Sequence, residues 1–353
     1  MPYCRKCGAK LDEDARFCPA CGTPVATVAA ATKPTAPKRR RPFYILPVAI
    51  LAAVLLSALV LGVLFFLPLN PVHFNQTNQV PQTSMDNLFL DFQVDVGQVN
   101  VFFENLSGDM AVLNVTADGS VGVLEDASRP LNLTFSHEAA DNSEMVIARV
   151  SRTSRWPISP GLNVECDVYI DPSANVTLQV NSSVGNIVMD VNAKVTLHKI
   201  NFETTTGNID VNLSKDTVVS GSISLQSTTG RVQFTMNEAD VSGDISVNLH
   251  STAGAVNADL TATERLSGNV TVNTMSTTGN VNLDMTIDSN IGARIESDAN
   301  LGKITLDVTR FSGNKSPIQS NNYPAGSNFL VNLKSDTGGI NIHAAYGSAS
   351  VQI

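Results

Sequence analysis

Four cysteines within the first 21 residues, Cys4, Cys7, Cys18 and Cys21, carry the clearest chemistry in the chain. They form two Cys-x2-Cys pairs, ten residues apart, in "YCRKCGAKLDEDARFCPACGTPV". A two-residue gap lets a tight turn present both thiolates to one ion, and two such turns complete the tetrahedron that zinc takes in structural sites. Gly8 and Gly22 follow the pairs and relieve the crowded turns. Four sulfur ligands leave no open position for water, so structural Zn2+ is expected, and a module this small depends on it to fold. A second set of ligand-type residues lies far downstream. Asp259, Asp284 and Asp307 recur at intervals of 25 and 23 residues. Stacked in register, they would form a column of like charges able to hold a hard cation such as Ca2+. The competing reading is three carboxylates fanned apart in water and screened by salt.

The cysteine segment resembles the short zinc-ribbon family found at the N-termini of many prokaryotic membrane proteins, and the resemblance covers residues 3–24. Around the expected ion, Arg5, Lys6, Lys10 and Arg16 are offset by Asp12, Glu13 and Asp14. That balance favours a cytosolic protein partner for the ribbon over nucleic acid.

Other reactive groups are dispersed. His137, His198, His250 and His343 show no metal-ligand spacing, and neither a phosphate-binding glycine loop nor a nucleophile elbow is present. Trp156 is a lone loop aromatic, and residues 180–310 contain no Trp or Tyr to form a sugar platform. The pattern speaks against an enzyme, including one acting on envelope polysaccharide. Cys166 has no cysteine partner in the later chain, and its alternating neighbours mark it as a small buried apolar residue.

The elements that must position these residues are of three kinds. Phe43 to Leu69 is 27 residues without a charge, whereas about 20 apolar helical residues suffice to cross a bilayer. Residues 43–69 are therefore expected to be a single transmembrane helix. Lys33, Lys38, Arg39, Arg40 and Arg41 precede it, and only His73 follows closely, so the positive-inside bias places the N-terminus in the cytoplasm of the cell membrane. Residues 1–42 carry nine basic and three acidic side chains, so the overall net charge of −9 leaves −15 for the expected extracellular part. Asn-x-Ser/Thr sequons such as Asn75 and Asn269 suit such an exterior.

The third element is a repeat. Gly185, Gly207, Gly230, Gly254, Gly279 and Gly302 lie 22, 23, 24, 25 and 23 residues apart, with an echo at Gly338. In most repeats apolar residues fall two, four and six places after the glycine, as in Val281, Leu283 and Met285. This is the period of a strand with one buried face. Units of this length bury their faces by stacking. The expected fold is mainly β, a parallel β-solenoid, with an antiparallel β-sandwich as the alternative. The expected organisation is a zinc ribbon (1–24), a flexible basic linker (25–42), the transmembrane helix (43–69), a second linker (70–84) and a β-repeat ectodomain (85–353).

Residues 85–350, most clearly 160–310, resemble the β-strand-repeat family that carries the name putative adhesin. In it a strand ending in a Pro turn, here "NVECDVYIDPS", leads into Ser/Thr-Gly-x-Ile/Val repeats. The resemblance implies a surface-displayed domain. The expected function is thus a membrane-anchored protein whose repeats bind or scaffold a surface polymer or protein. The alternative is transmembrane signalling to a partner of the ribbon.

Overall fold

The computed structural model describes residues 3–25, 45–66, 68–122, 125–140, 143–153, 161–264 and 266–347. The basic run Lys33–Arg41 and Trp156 lie outside them. The chain divides into two units, residues 1–60 and 61–353.

In the first unit, each cysteine pair is closed by one antiparallel bridge, Tyr3 to Lys10 and Phe17 to Pro24. Cys4, Cys18 and Leu11 are buried, with Ala9 and Val25 packed against them. A core of three side chains is too small to hold a fold without a further crosslink. A helix spans Ile45–Phe66, 22 residues with no charged side chain. Among the residues whose side chains are described, no helical stretch is long and apolar enough to cross a membrane. Side chains within this helix are described only for residues 49–60 and 62.

The second unit follows from the period-two pattern. Between residues 175 and 346 the chain alternates between two sheets. One strand before each repeat glycine enters a 13-stranded sheet, and one strand after it enters an 11-stranded sheet. The Gly230 rung, for example, is Thr217–Thr229 followed by Val232–Asn237. Corresponding strands of successive rungs pair in parallel and in register, as in Val232 with Val256 and Val256 with Val281. Inward residues of both sheets form one core that includes Phe92, Phe202, Phe234 and Phe329. Each such side chain, fully withdrawn from water, contributes about 1.5–3 kcal/mol. Cys166 belongs to this core, and burial, then the nearby Asp167 and Glu165, push its thiol up to about 12. It is the inert apolar residue that its strand pattern implies.

The glycines stack. A Cβ placed on Gly230 would stand 1.9 Å from the carbonyl oxygen of Gly207, and one on Gly254 would stand 2.1 Å from that of Gly230. The same close approach runs through Gly97, Gly185, Gly207, Gly230, Gly254, Gly279, Gly338 and Gly302. Beside it runs a hydroxyl ladder. The side chain three places before a glycine donates to the glycine carbonyl of the preceding rung: Ser227 to Gly207 (2.8 Å), Ser251 to Gly230 (2.7 Å), Ser276 to Gly254 (2.8 Å) and Ser335 to Gly279 (3.0 Å). These serines are buried. Each satisfies a carbonyl that would otherwise be left without a partner away from water.

Two features depart from the sequence expectation. Residues 70–84, expected as a linker, are mostly strand: Pro68–Pro81 pairs antiparallel with Asp109–Gly122 at the edge of the 11-stranded sheet. Val72 and Val80 are buried, but Gln76 and Asn78 occupy positions of the same parity, which hides the alternation. An edge position also tolerates the prolines. Second, rung order does not follow chain order. The Gly338 rung lies between those of Gly279 and Gly302. The Gly97 rung lies between the strands of residues 143–170 and the Gly185 rung.

Candidate metal centre and outer sheet face

The two cysteine turns face each other. Cys4 Sγ lies 3.6 Å from Cys21 Sγ, and Cys7 Sγ lies 3.6 Å from Cys18 Sγ. All four ligand atoms fall within 4.8 Å of one another. Zn–S bonds of about 2.3 Å in a tetrahedron put sulfur atoms about 3.8 Å apart, so the four cysteines fit zinc. None forms a disulfide. Gly8 donates to the Cys4 carbonyl (2.9 Å) and Gly22 to that of Cys18 (2.8 Å), closing both turns at positive φ, +73° and +68°. Amides of Lys6 and Cys7 lower the Cys4 thiol from its ordinary value. At Cys21 the Thr23 hydroxyl, 3.1 Å away, and the Thr23 amide hold the thiol down to about 6. Donors aimed at the Cys4 and Cys21 sulfurs favour the thiolate form that a metal requires, whereas at Cys7 the Ala9 amide lowers the thiol but the contacts with the Cys21 and Cys18 sulfurs outweigh it and push it up to about 12.

The aspartate column has a different composition from the expected one. Register pairs Asp190 with Asn212, Asn212 with Thr235, Thr235 with Asp259, and Asp259 with Asp284. The next neighbour of Asp284 is His343, and Asp307 lies beyond it, because the Gly338 rung is inserted there. His343 Nδ1 is 3.1 Å from Asp284, and its Nε2 is 3.9 Å from Asp307. Asp259 accepts a hydrogen bond from Gln233 at 2.7 Å. Partial burial, and then the charge of Asp284, raise its carboxyl above the ordinary range. Beside the column run amides in series: Asn341 donates to Asn282, Asn282 to Asn257, and Asn257 to Gln233, at 2.7–2.8 Å. These groups line a shallow hollow. Asp259, Asp284 and Asp307 are thus spaced along three rungs with an imidazole interposed, not gathered around a point. Among the described residues the only metal-competent group is the cysteine set.

Sequence reasoning missed the hydroxyl ladder, although the recurring Ser or Thr three places before the glycine was its signal. It also missed a ring pair on the outer face of the 11-stranded sheet. Phe102 and Tyr169 stack with centroids 5.2 Å apart and planes inclined by 23°. They are 67 residues apart in sequence, and nothing local announces their meeting.

Residues 3–25 match the zinc-ribbon domain family, in agreement with the cysteine geometry, and the ribbon is a domain of this chain. No curated protein sequence matches the chain. Solved structures similar to it include a "putative cell adhesion protein" from Clostridium sporogenes, with 13% identity and a TM-score of 0.35, covering 77% of this chain and 99% of that one. A "putative adhesin" from Bacteroides fragilis has 12% identity and a TM-score of 0.32, covering 77% and 97%. Another "putative adhesin", from Parabacteroides merdae, has 12% identity and a TM-score of 0.24, covering 78% and 96%.

Proposed function

We propose that the chain is a single-pass membrane protein. A parallel β-solenoid outside the cell binds or scaffolds envelope or extracellular material, and a zinc ribbon in the cytosol holds a protein partner. The observation that carries this reading is the uncharged 22-residue helix Ile45–Phe66, placed between a strongly basic segment and a domain of net charge −15. At 1.5 Å per residue it is about 33 Å long, enough for ~30 Å of hydrocarbon. Basic residues before it and their scarcity after it set the direction.

Parallel, in-register pairing from rung to rung supports the solenoid reading. Such an array offers a long, stiff surface whose outward side chains change while its core repeats, which suits binding more than catalysis. The acidic balance favours ligands that tolerate or seek negative charge.

Topology is tested with a terminal epitope on each side of the helix and protease added to intact cells. Residues beyond 70 should be digested while the ribbon epitope survives until lysis. Loss of the ribbon epitope before lysis refutes the orientation, and extraction of the full chain by carbonate refutes the span.

A further inference from the structure

The Phe102–Tyr169 pair sits on the outer face of the 11-stranded sheet, where adjacent rungs place the two rings side by side in register. Phe102 is 37% exposed. A large apolar ring on an open face is costly to leave in water, and apart from Val112, in register with Tyr169, and Val188, in register with Asn100, the residues around the pair are polar or charged. In register with Phe102 on the other side stands Asp190. Two residues before Tyr169 on its own strand is Asp167, and two before that is Glu165. Asn100, almost fully buried, donates to both, at 2.8 Å to Asp167 and 2.9 Å to Glu165. Gln98 Nε2 in turn donates to the side-chain oxygen Oδ1 of Asn100 at 2.8 Å. Both carboxylates are therefore held in place by a single amide.

No Lys or Arg among the described residues forms an ion pair with Glu104, Asp167, Glu165 or Asp190. Burial first, and then the charges of Asp167, Glu104 and Glu165, raise the Tyr169 hydroxyl from its ordinary value. Among the described residues, then, the rings lie beside negative charge that no ion pair with Lys or Arg offsets. That charge adds to the negative face of an aromatic ring and attracts a cation.

We propose that this face binds an extended cationic peptide, with one Lys or Arg side chain over the Phe102–Tyr169 rings and the next beside Asp167 and Glu165. The peptide class follows from spacing. Alternate side chains of an extended chain lie about 6.6 Å apart, the same repeat that separates Glu165, Asp167 and Tyr169 along their strand. A peptide laid along that strand with basic residues at alternate positions meets a ring, then a carboxylate, then another carboxylate. The inference rests on reading the repeats as a binding array. It does not depend on the membrane topology, which the protease experiment tests separately.

The test uses the full chain in mild detergent at 0.15 M salt. It is titrated with a fluorescent, end-capped peptide alternating Lys and Thr, and with the same peptide acetylated on every lysine. Saturable binding of the first and none of the second is expected. Tyr169→Leu and Phe102→Leu keep apolar bulk and remove the ring, and each should weaken binding about three- to tenfold, the range of a partly desolvated cation–π contact. Tyr169→Phe should bind like the parent. Asp167→Asn should weaken binding comparably, while Asp307→Asn, eight strands away in the same sheet, should not. Unfolding midpoints of the variants confirm that the fold is retained. Three results overturn the proposal: equal binding by parent and both Leu variants, equal binding of the acetylated peptide, or no binding at all. The first would mean that the peptide responds only to the diffuse charge of the domain.

Discussion

Replacing Gly230 by Ala isolates what holds one rung on another. The new Cβ would stand 1.9 Å from the Gly207 oxygen and 2.5 Å from its carbon, whereas even the closest C–H···O contacts keep carbon and oxygen about 3.3 Å apart. Rungs spaced by ~4.8 Å would have to part locally by more than an ångström. Overpacking of this kind costs about 1–3 kcal/mol. Gly230 also has φ of +150°, a region that other residues enter at about 1–3 kcal/mol. Parting the rungs stretches the Ser227 bond to Gly207, worth about 1 kcal/mol. The sum is about 3–7 kcal/mol. Two further glycines separate the contributions. At Gly254 the steric clash is nearly the same, 2.1 Å, with no positive φ, so about 2–4 kcal/mol is expected. Gly243 has φ of +84° and open space around its Cβ position, so Ala there costs about 1–2 kcal/mol. Urea unfolding of the full chain in detergent, read at constant slope, gives the three differences. If Gly254→Ala unfolds no earlier than Gly243→Ala, the close approach of the glycines is not what constrains the stack.

The hydroxyl ladder predicts that Ser251→Ala, which strips the Gly230 carbonyl of its 2.7 Å partner, destabilises by about 1–3 kcal/mol in the same unfolding experiment. Asp259 has its carboxyl raised in the fold, so its contribution to stability is fully present below the ordinary value of 3.8 and is lost as pH rises through the raised value. Asp259→Asn should therefore stabilise at pH 7 by up to about 1 kcal/mol, and that gain should fade below the ordinary value, as thermal melts at the two pH values can show. The parent chain should release one zinc per molecule to a chromogenic chelator after thiol modification, and Cys18→Ser should release none. The main unfolding transition should be unchanged, because the ribbon has its own small core.

Much of the stack was legible because its physics is local. A glycine, then apolar residues at the second, fourth and sixth places, specifies a turn and one buried strand face, and the register confirms it for Ile209, Val211 and Leu213 as for Val281, Leu283 and Met285. The four cysteines were legible for the same reason, since Cys-x2-Cys geometry is set within one turn. The edge strand Pro68–Pro81 was not, because its hold comes from pairing with Asp109–Gly122 and from two buried valines, while Gln76 and Asn78 break its apolar period. Rung order was not legible either. Spacing of 23 residues from Gly279 to Gly302 is compatible with adjacency, yet Gly302 packs on Gly338, with 1.6 Å from its would-be Cβ to that oxygen.

Those out-of-order rungs explain where the chemistry of the outer face arises. Along a regular run, every rung offers the same inward residues, glycine and hydroxyl to its neighbour, and stacking occupies them all. Outward positions then meet only their counterparts one repeat away, which yields pairs of like groups such as the Asn257 and Asn282 amides and the Asn248 and Asn273 amides. A mixed constellation needs rungs from distant parts of the chain to touch. Insertion of the Gly338 rung sets His343 between Asp284 and Asp307 and converts a run of like charges into one that an imidazole can bridge. Placement of the Gly97 rung against Leu162–Ile170 sets Phe102 against Tyr169, and Asn100 against Glu165 and Asp167. Neither combination is a property of the repeat. Both are properties of the order in which the rungs are stacked, so a binding specificity confined to this face should move with the order and survive changes to the repeat that leave the order intact.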